Sequence, residues 1–134
     1  MKKTLLFLSL IVGLFVFESC GDDDSGPSGL ALEGTLWTQI SFNYTSCDNP
    51  DNNGSGTLVC TPQNCITALF ENGTVTYTEV EDGDSSVLTL PVSITPTSFS
   101  AFGQTATYAI VGDTLTASSE FDGCDLVEVY VGSN

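Results

Sequence analysis

The sequence predicts an all-β domain, an antiparallel up-and-down meander of about eight strands closed or nearly closed into a barrel. Three observations carry this. No stretch of the folded part keeps a helical period of apolar residues; Thr, Val, Ser and aromatic residues dominate instead. Short apolar runs alternate with polar residues, as half-buried strands do. Two-residue turn pairs (Asn72-Gly73, Asp82-Gly83, Gly112-Asp113 and Asp122-Gly123) fall between those runs at hairpin spacing.

The strands follow in order. The first, 36–44, places Ile40, Phe42 and Tyr44 on one face. Strands 66–71 and 74–80 meet across Asn72-Gly73, the best hairpin signal in the chain, with Val75 and Tyr77 sharing a face. Asp82-Gly83 turns the chain into 86–94, where Leu88, Leu90, Val92 and Ile94 share one side. Pro91 lacks an N–H and assigns that strand to an edge or a bulge. Strands 97–102 and 104–111 follow, the second with Tyr108 and Ile110 on one face. Gly112-Asp113 leads into 114–120, and Asp122-Gly123 into 124–131. In that last strand Val127, Val129 and Val131 form a stripe, so Glu128 on the opposite side is expected to face outward. Short connections make sequence neighbours spatial neighbours, and closure would remove the sheet's edges. The long connection 45–65 is the exception. A loop of that length is functional or stapled.

The N-terminus is a different kind of segment. Lys2 and Lys3 carry all the positive side-chain charge, and they precede an apolar run from Thr4 to Phe17 that ends at Glu18-Ser19-Cys20. A charged start, an apolar core and a small residue before a cut mark a secretory signal. As a helix, residues 4–17 would span about 21 Å, short of a hydrocarbon core of roughly 30 Å. Asp22, Asp23 and Asp24 follow where a flanking anchor would stand. The stretch resembles a bacterial lipoprotein signal. Ser19 matches the small residue before the modified Cys, whereas Phe17 and Glu18 depart from the usual Leu and small residue. The resemblance implies that residues 1–19 are removed and that Cys20 becomes the new N-terminus, carrying acyl chains of the palmitate type. An ordinary secretory cut, with Cys20 incidental, is the alternative. Residues 20–29 then form the lipid-attachment Cys and a flexible acidic tether, whose Gly21–Gly29 portion reaches about 30 Å when stretched. Residues 30–134 form the folded domain. The Cys-Gly-Asp-Asp-Asp run also resembles the acidic export signal of Bacteroidota-type bacteria, which implies the outer membrane and a position facing the cell exterior. A solvated spacer is the plain alternative.

Charge narrows the chemistry. The chain has 17 acidic and 2 basic residues and no His. Loss of residues 1–19 removes Glu18, Lys2 and Lys3, leaving 16 acidic residues and no basic side chain. Salt bridges between side chains are then excluded, and self-repulsion works against the compact state. Nucleic acid is excluded as a partner because its phosphates need Lys or Arg. Most catalytic chemistry goes too. Without His, Lys or Arg there is no usual general base, Schiff-base amine or oxyanion clamp, so the chain is read as not an enzyme, with no catalytic residue and no cofactor. Paired carboxylates would survive as a route to glycoside hydrolysis. Glu79 and Glu81 share a strand face, as would Asp82 and Asp84 if the strand continued, but they border a turn and read as solvated charge.

Cys47, Cys60, Cys65 and Cys124 remain after Cys20. An even number in an exported domain implies disulfides, with three pairings open. The favoured set is Cys60–Cys65, closing a tight loop across Thr61–Asn64, with Cys47–Cys124. A four-thiolate zinc site is disfavoured, because the spacing lacks close Cys-x-x-Cys pairs and the compartment favours oxidation. Asn49-Pro50-Asp51-Asn52-Asn53-Gly54 echoes the start of a calcium loop, but its twelfth position is Cys60 where Glu would be required. A turn-rich Asx loop accounts for it better; Asp48 and Asp51 leave room for weak calcium binding in a calcium-rich medium, and no dedicated metal site is expected.

Leu32-Glu33-Gly34-Thr35-Leu36-Trp37 resembles the Gly-x-Trp start of the first strand in lipocalin-like proteins, with one residue more between Gly34 and Trp37. With the long first loop, the Asn-Gly hairpin and a Cys near the last strand, residues 32–131 are similar to the small lipocalin-like lipoproteins of Bacteroidota-type bacteria. The chain is shorter than a full lipocalin and shows no terminal helix. The resemblance implies a barrel with Trp37 plugging one end; a core Trp in a β-sandwich is the alternative. The expected inward set (Phe42, Tyr44, Tyr77, Leu90, Phe99, Tyr108 and Leu115) is bulky and points to a filled or nearly filled interior. The expectation is therefore a membrane-anchored binding module for an unidentified small apolar, glycan or protein ligand, its ligand-binding residues unassigned. A structural or interaction protein of the cell envelope is the alternative.

An anionic domain with no internal counter-charge is stabilised by screening. The melting temperature should rise as sodium chloride is raised from about 10 to 150 mM, and rise further with millimolar calcium or magnesium. A melting temperature flat across that range would remove self-repulsion from the account.

Overall fold

The structure is a computed structural model that describes residues 30–133. The readings placed on residues 1–29, Cys20 among them, lie outside the described residues. One antiparallel sheet is formed by β1 (Leu36–Thr45), β2 (Gly54–Thr57), β3 (Cys65–Glu71), β4 (Thr74–Glu81), β5 (Asp84–Ile94), β6 (Ser98–Ala101), β7 (Gln104–Val111), β8 (Thr114–Phe121) and β9 (Cys124–Ser133). Each strand from β3 onward pairs with the next, and β9 returns to pair with β1 along its whole length. Eight strands thus close a barrel. The other edge of β1 is shared: Leu36–Thr38 pair with β3, and Ser41–Tyr44 pair with β2.

The eight expected strands correspond to β1 and β3–β9, and β2 is additional. Its Gly-Ser-Gly-Thr sequence has no alternation to read. The Phe42 ring packs over the glycine at position 56, where a Cβ would stand 2.6 Å from it and force the ring to move.

Hairpin chemistry sets the meander. At Asn72-Gly73, Asp82-Gly83, Phe102-Gly103 and Asp122-Gly123 both central residues have positive φ, as type I′ turns require. Asp82 therefore sits in a turn and does not share a strand face with Asp84. Glu81 lies opposite Asp84 across the hairpin. At β5 the expected edge is local. Asp84–Pro91 pair with β4, but only Val92–Ile94 pair with β6. The Val92 N–H donates to the Gly73 carbonyl on the β4 side (2.9 Å), so the Pro91 nitrogen points to the side on which no strand pairs with it.

Trp37 is fully buried at the end of the barrel where the N-terminal segment arrives. Its Nε1–H donates to the Leu32 carbonyl (3.0 Å), which holds residues 30–35 across that end. Leu32, Phe70, Val75, Val92 and Leu115 complete the plug. Each large side chain buried there contributes about 1.5–3 kcal/mol.

Two faces differ from expectation. In β9 the inward residues are Leu126, Glu128 and Tyr130, while Val127, Val129 and Val131 face out beside Ser118, Thr116 and Thr114 of β8. In β1 a bulge between Gln39 and Ser41 takes Ile40 out of phase with Phe42 and Tyr44. The outward valines extend a ladder of β-branched and hydroxyl residues on the outer wall, where cross-strand pairs supply the stability.

The disulfides are Cys47–Cys124, which ties the end of β1 to the start of β9, and Cys60–Cys65, which closes a tight loop before β3. They span 77 and 5 residues. Removing the first with paired Cys→Ser changes should cost about 4.5 kcal/mol and removing the second about 2, on a loop-entropy basis. Urea denaturation of the two double variants measures the difference, and equal losses would contradict it.

Candidate functional site

Residue size along the inner wall sets the shape of the interior. Near the N-terminal end the inner wall carries Trp37, Phe70, Leu115 and Ile110, and it is filled. Toward the other end the inner positions of β6, β7 and β8 shrink to Ala101, Ala106, Ala117 and Ser119. Small residues in one layer leave space. A cavity of about 510 Å³ results, walled by Tyr44, Tyr77, Leu90, Phe99, Leu126 and Tyr130, and it opens between Phe102 and Phe121 beside the β6–β7 and β8–β9 turns. The expectation of a filled interior is corrected: only the Trp37 end is filled. Of the bulky inward set, Tyr108 is tied to the end loop by its hydroxyl, which donates to the Thr95 carbonyl (2.9 Å), and Leu115 belongs to the plug.

Glu128 stands in the cavity wall. Its expected outward orientation is overturned, because β9 pairs with its inner face toward Ala117 of β8 and Phe42 of β1. Gln39 Nε2 donates to Glu128 Oε1 at 2.8 Å, and the Tyr130 hydroxyl donates to the same oxygen at 3.1 Å. The bulge at Ile40 makes this possible, since it lets Gln39, Phe42 and Tyr44 all point inward. Burial pushes the Glu128 carboxyl above the usual carboxylate range, and the hydrogen bonds from Tyr130 and Gln39 pull it part of the way back. Tyr130 and Tyr77 are raised in turn, first by burial and then by the neighbouring Glu128 charge. Glu128 is the one carboxylate among the residues lining this cavity.

The mouth is unusual. Phe102 holds φ +54° and is 86 % exposed, in a turn position that the sister turns give to Asn or Asp. Above one side of the cavity the β4–β5 hairpin extends past the end of β6. Counting alternate residues from Val75 and Tyr77, Glu79 and Glu81 continue the inner face, with Asp84 and Ser86 opposite them. These residues, with Asp82 and Ser85, line a second, acidic hollow of about 320 Å³. The carboxylates read from sequence as solvated charge are exposed, and they form a negative lip.

The calcium-like segment folds as a 3₁₀ turn at Pro50–Asn52. Asn49 Oδ1 accepts from the Asp51 N–H at 3.2 Å, and Asn53 Oδ1 from the Cys47 N–H at 3.1 Å. Those oxygens are used by the backbone, as in an Asx loop. Among the described residues no group of three or more acidic, Cys or His side chains could hold a metal ion.

No protein-family model, no curated protein and no solved structure matches this chain.

Sequence reasoning missed Glu128 and Gln39. A signal was present: Cys124, Leu126 and Tyr130 share the phase of Glu128, and a Cys bridged to the end of β1 belongs on a buried face.

The pH dependence follows from the direction of the Glu128 shift. A carboxyl raised in the folded state binds its proton more tightly there than when unfolded. Its contribution is fully present below the ordinary value near 4.5 and is lost as pH rises through the raised one. The Glu128→Gln variant should match wild type in stability near pH 3.5–4 and exceed it at about pH 8. Comparing the two proteins cancels the surface carboxylates. Thermal melts across pH would contradict this if the gap were constant.

Proposed function

We propose that this chain is an envelope-anchored lipoprotein whose barrel binds a small, largely apolar molecule. The observation that carries the binding role is the open cavity of about 510 Å³ walled by aromatic and aliphatic side chains. That size and lining are those of small-molecule sites, and eight-stranded barrels are wide enough to hold one such ligand. The lipocalin-like reading is supported by the eight-strand closure and by Trp37 at the end where the chain enters the barrel. The anchor is supported by the Lys2-Lys3 start, the apolar run and Ser19-Cys20. Outer-membrane placement facing the cell exterior rests on the acidic run after Cys20. Residue 30 lies at the filled end of the barrel, so a tether from Cys20 would hold the mouth away from the membrane.

Two measurements test the reading. Intact-mass analysis of the protein recovered from its own cells should show residues 1–19 missing and Cys20 acylated; Met1 retained or an unmodified Cys20 would end the anchor proposal. The neutral fluorescent probe N-phenyl-1-naphthylamine should bind wild type saturably and bind Ala106→Trp at least about tenfold more weakly, because the new ring fills the cavity. Circular dichroism confirms that the variant folds. An absence of saturable binding to wild type would favour a structural or interaction role in the envelope.

A further inference from the structure

We propose that the cavity is built for an organic cation, an ammonium group carried on an aryl or alkyl body. The ammonium would sit against Glu128 Oε2, and the body against the rings of Tyr44, Tyr77, Phe99 and Phe121. This rests on the reading of the barrel as a binding domain and specifies its ligand class.

The carboxylate geometry comes first. Both protein donors to Glu128, Gln39 Nε2 and the Tyr130 hydroxyl, converge on Oε1. Among the described residues nothing donates to Oε2. Among the described residues no buried side-chain oxygen is left without a partner, so Oε2 keeps some accessible surface, and Glu128 lines the cavity. An acceptor oxygen therefore borders a largely apolar space. A neutral apolar ligand would cover it and leave it unpaired, which is unfavourable. An ammonium would pair with it.

The chain offers no substitute for that cation. Its two Lys are at positions 2 and 3, and it has no Arg and no His. Buried carboxylates are ordinarily balanced by a basic side chain or a metal. Here no basic side chain among the described residues supplies that charge, so the carboxyl is neutralised either by a proton or by a cation that enters the cavity.

The walls suit the same ligand. Tyr44, Tyr77, Phe99, Phe102, Phe121 and Tyr130 all line the cavity. Ring faces attract cations through their quadrupole, more strongly where water is excluded, and aromatic-lined sites recognise alkylammonium groups. The lip points the same way. Glu79, Glu81 and Asp84 lie on the face that continues the inner wall, so approaching cations are drawn in and anions turned away. A fatty acid or a phosphorylated ligand would meet a carboxylate at the lip and another inside, with no basic side chain among the described residues to receive it.

The test is calorimetric titration of the intact chain at 150 mM sodium chloride with three isosteres: tryptamine (ammonium), tryptophol (neutral alcohol) and indole-3-propionate (anion). Tryptamine should bind at least tenfold more tightly than tryptophol, and indole-3-propionate should not bind. Glu128→Gln should reduce tryptamine to the level of tryptophol while leaving tryptophol within twofold, which also shows that the variant is folded. Ala106→Trp should abolish tryptamine binding, and the triple lip variant Glu79→Gln/Glu81→Gln/Asp84→Asn should keep it within about threefold. Equal binding of the three isosteres, or a Glu128→Gln variant that binds tryptamine as well as wild type, overturns the inference. So does loss of binding in the lip variant alone, which would assign it to surface attraction. If N-phenyl-1-naphthylamine binds wild type and tryptamine does not, the cation proposal falls and the binding domain stands; if no probe of any charge binds, both fall.

Discussion

The pairing of β1 with β9 turns a nine-stranded sheet into a barrel, and the interior exists only because of it. From Leu36 to Thr45 the two strands are in register apart from the one bulge at Ile40. With no basic side chain among the described residues, none of the closure can come from side-chain ion pairs. It rests on backbone hydrogen bonds, on burial of the inner face and on the Cys47–Cys124 bridge at one end of the seam. The same pairing brings Gln39 of β1 to Glu128 of β9. Separated, the two strands would expose an edge and leave a desolvated carboxylate without its main donor.

Closure alone makes a tube, and side-chain size decides which part of it is solid. The inner layer nearest the chain's entrance to the barrel holds Trp37, Phe70, Val75 and Leu115, all essentially inaccessible. One layer further, Ala106 of β7 and Ala117 of β8 are small, and their volumes leave space that the rings of Tyr77 and Tyr130 do not fill. The short β6 adds to this. With only Val92–Ile94 of β5 paired to it, the wall between β5 and β7 ends early, and Leu88 is exposed although it shares the inward phase of Leu90. The cavity thus opens at its end and is thin along one side.

What the sequence made legible is what local chemistry determines. An X-Gly pair in which both residues need positive φ is readable wherever X is Asn or Asp, and Asn72, Asp82 and Asp122 all turned the chain as expected. Of the three disulfide pairings open to the sequence, the favoured one, with its tight Cys60–Cys65 loop, is the one formed. Trp37 at one end of the barrel was expected from the resemblance of residues 32–37 to a lipocalin-like first strand, although one residue more separates it from Gly34. The misses share a different cause. In β9 the valines are more apolar than Leu126-x-Glu128-x-Tyr130, so composition pointed to the wrong face. In a barrel whose inner face takes large rings and one carboxylate, the β-branched residues can belong outside. The bulge at Ile40 inverts the phase of β1 without a sequence mark. β2 was hidden because glycine carries no pattern, although the Phe42 ring packs over its glycine at 56. The open interior was hidden because residue sizes sum to a cavity only once it is known that Ala101, Ala106, Ala117 and Ser119 lie in one region of the wall.

Phe102 shows where stability and the cavity diverge. A non-glycine residue in the left-handed region costs roughly 1–2 kcal/mol, less for Asn and Asp, which bond locally to the backbone. Three sister turns take that relief, and the β6–β7 turn does not. Burial cannot be the compensation, because the Phe102 side chain is 86 % exposed. Nor is it needed to turn the chain, since Gly103 follows with φ +75° as in the other hairpins. What Phe102 does have is a place at the cavity mouth, with Phe121 (half exposed) also lining it. Under the proposed binding role, a strained aromatic that adds little to the folded core, at the mouth of an aromatic-lined cavity, is accounted for by what enters that mouth rather than by the barrel itself.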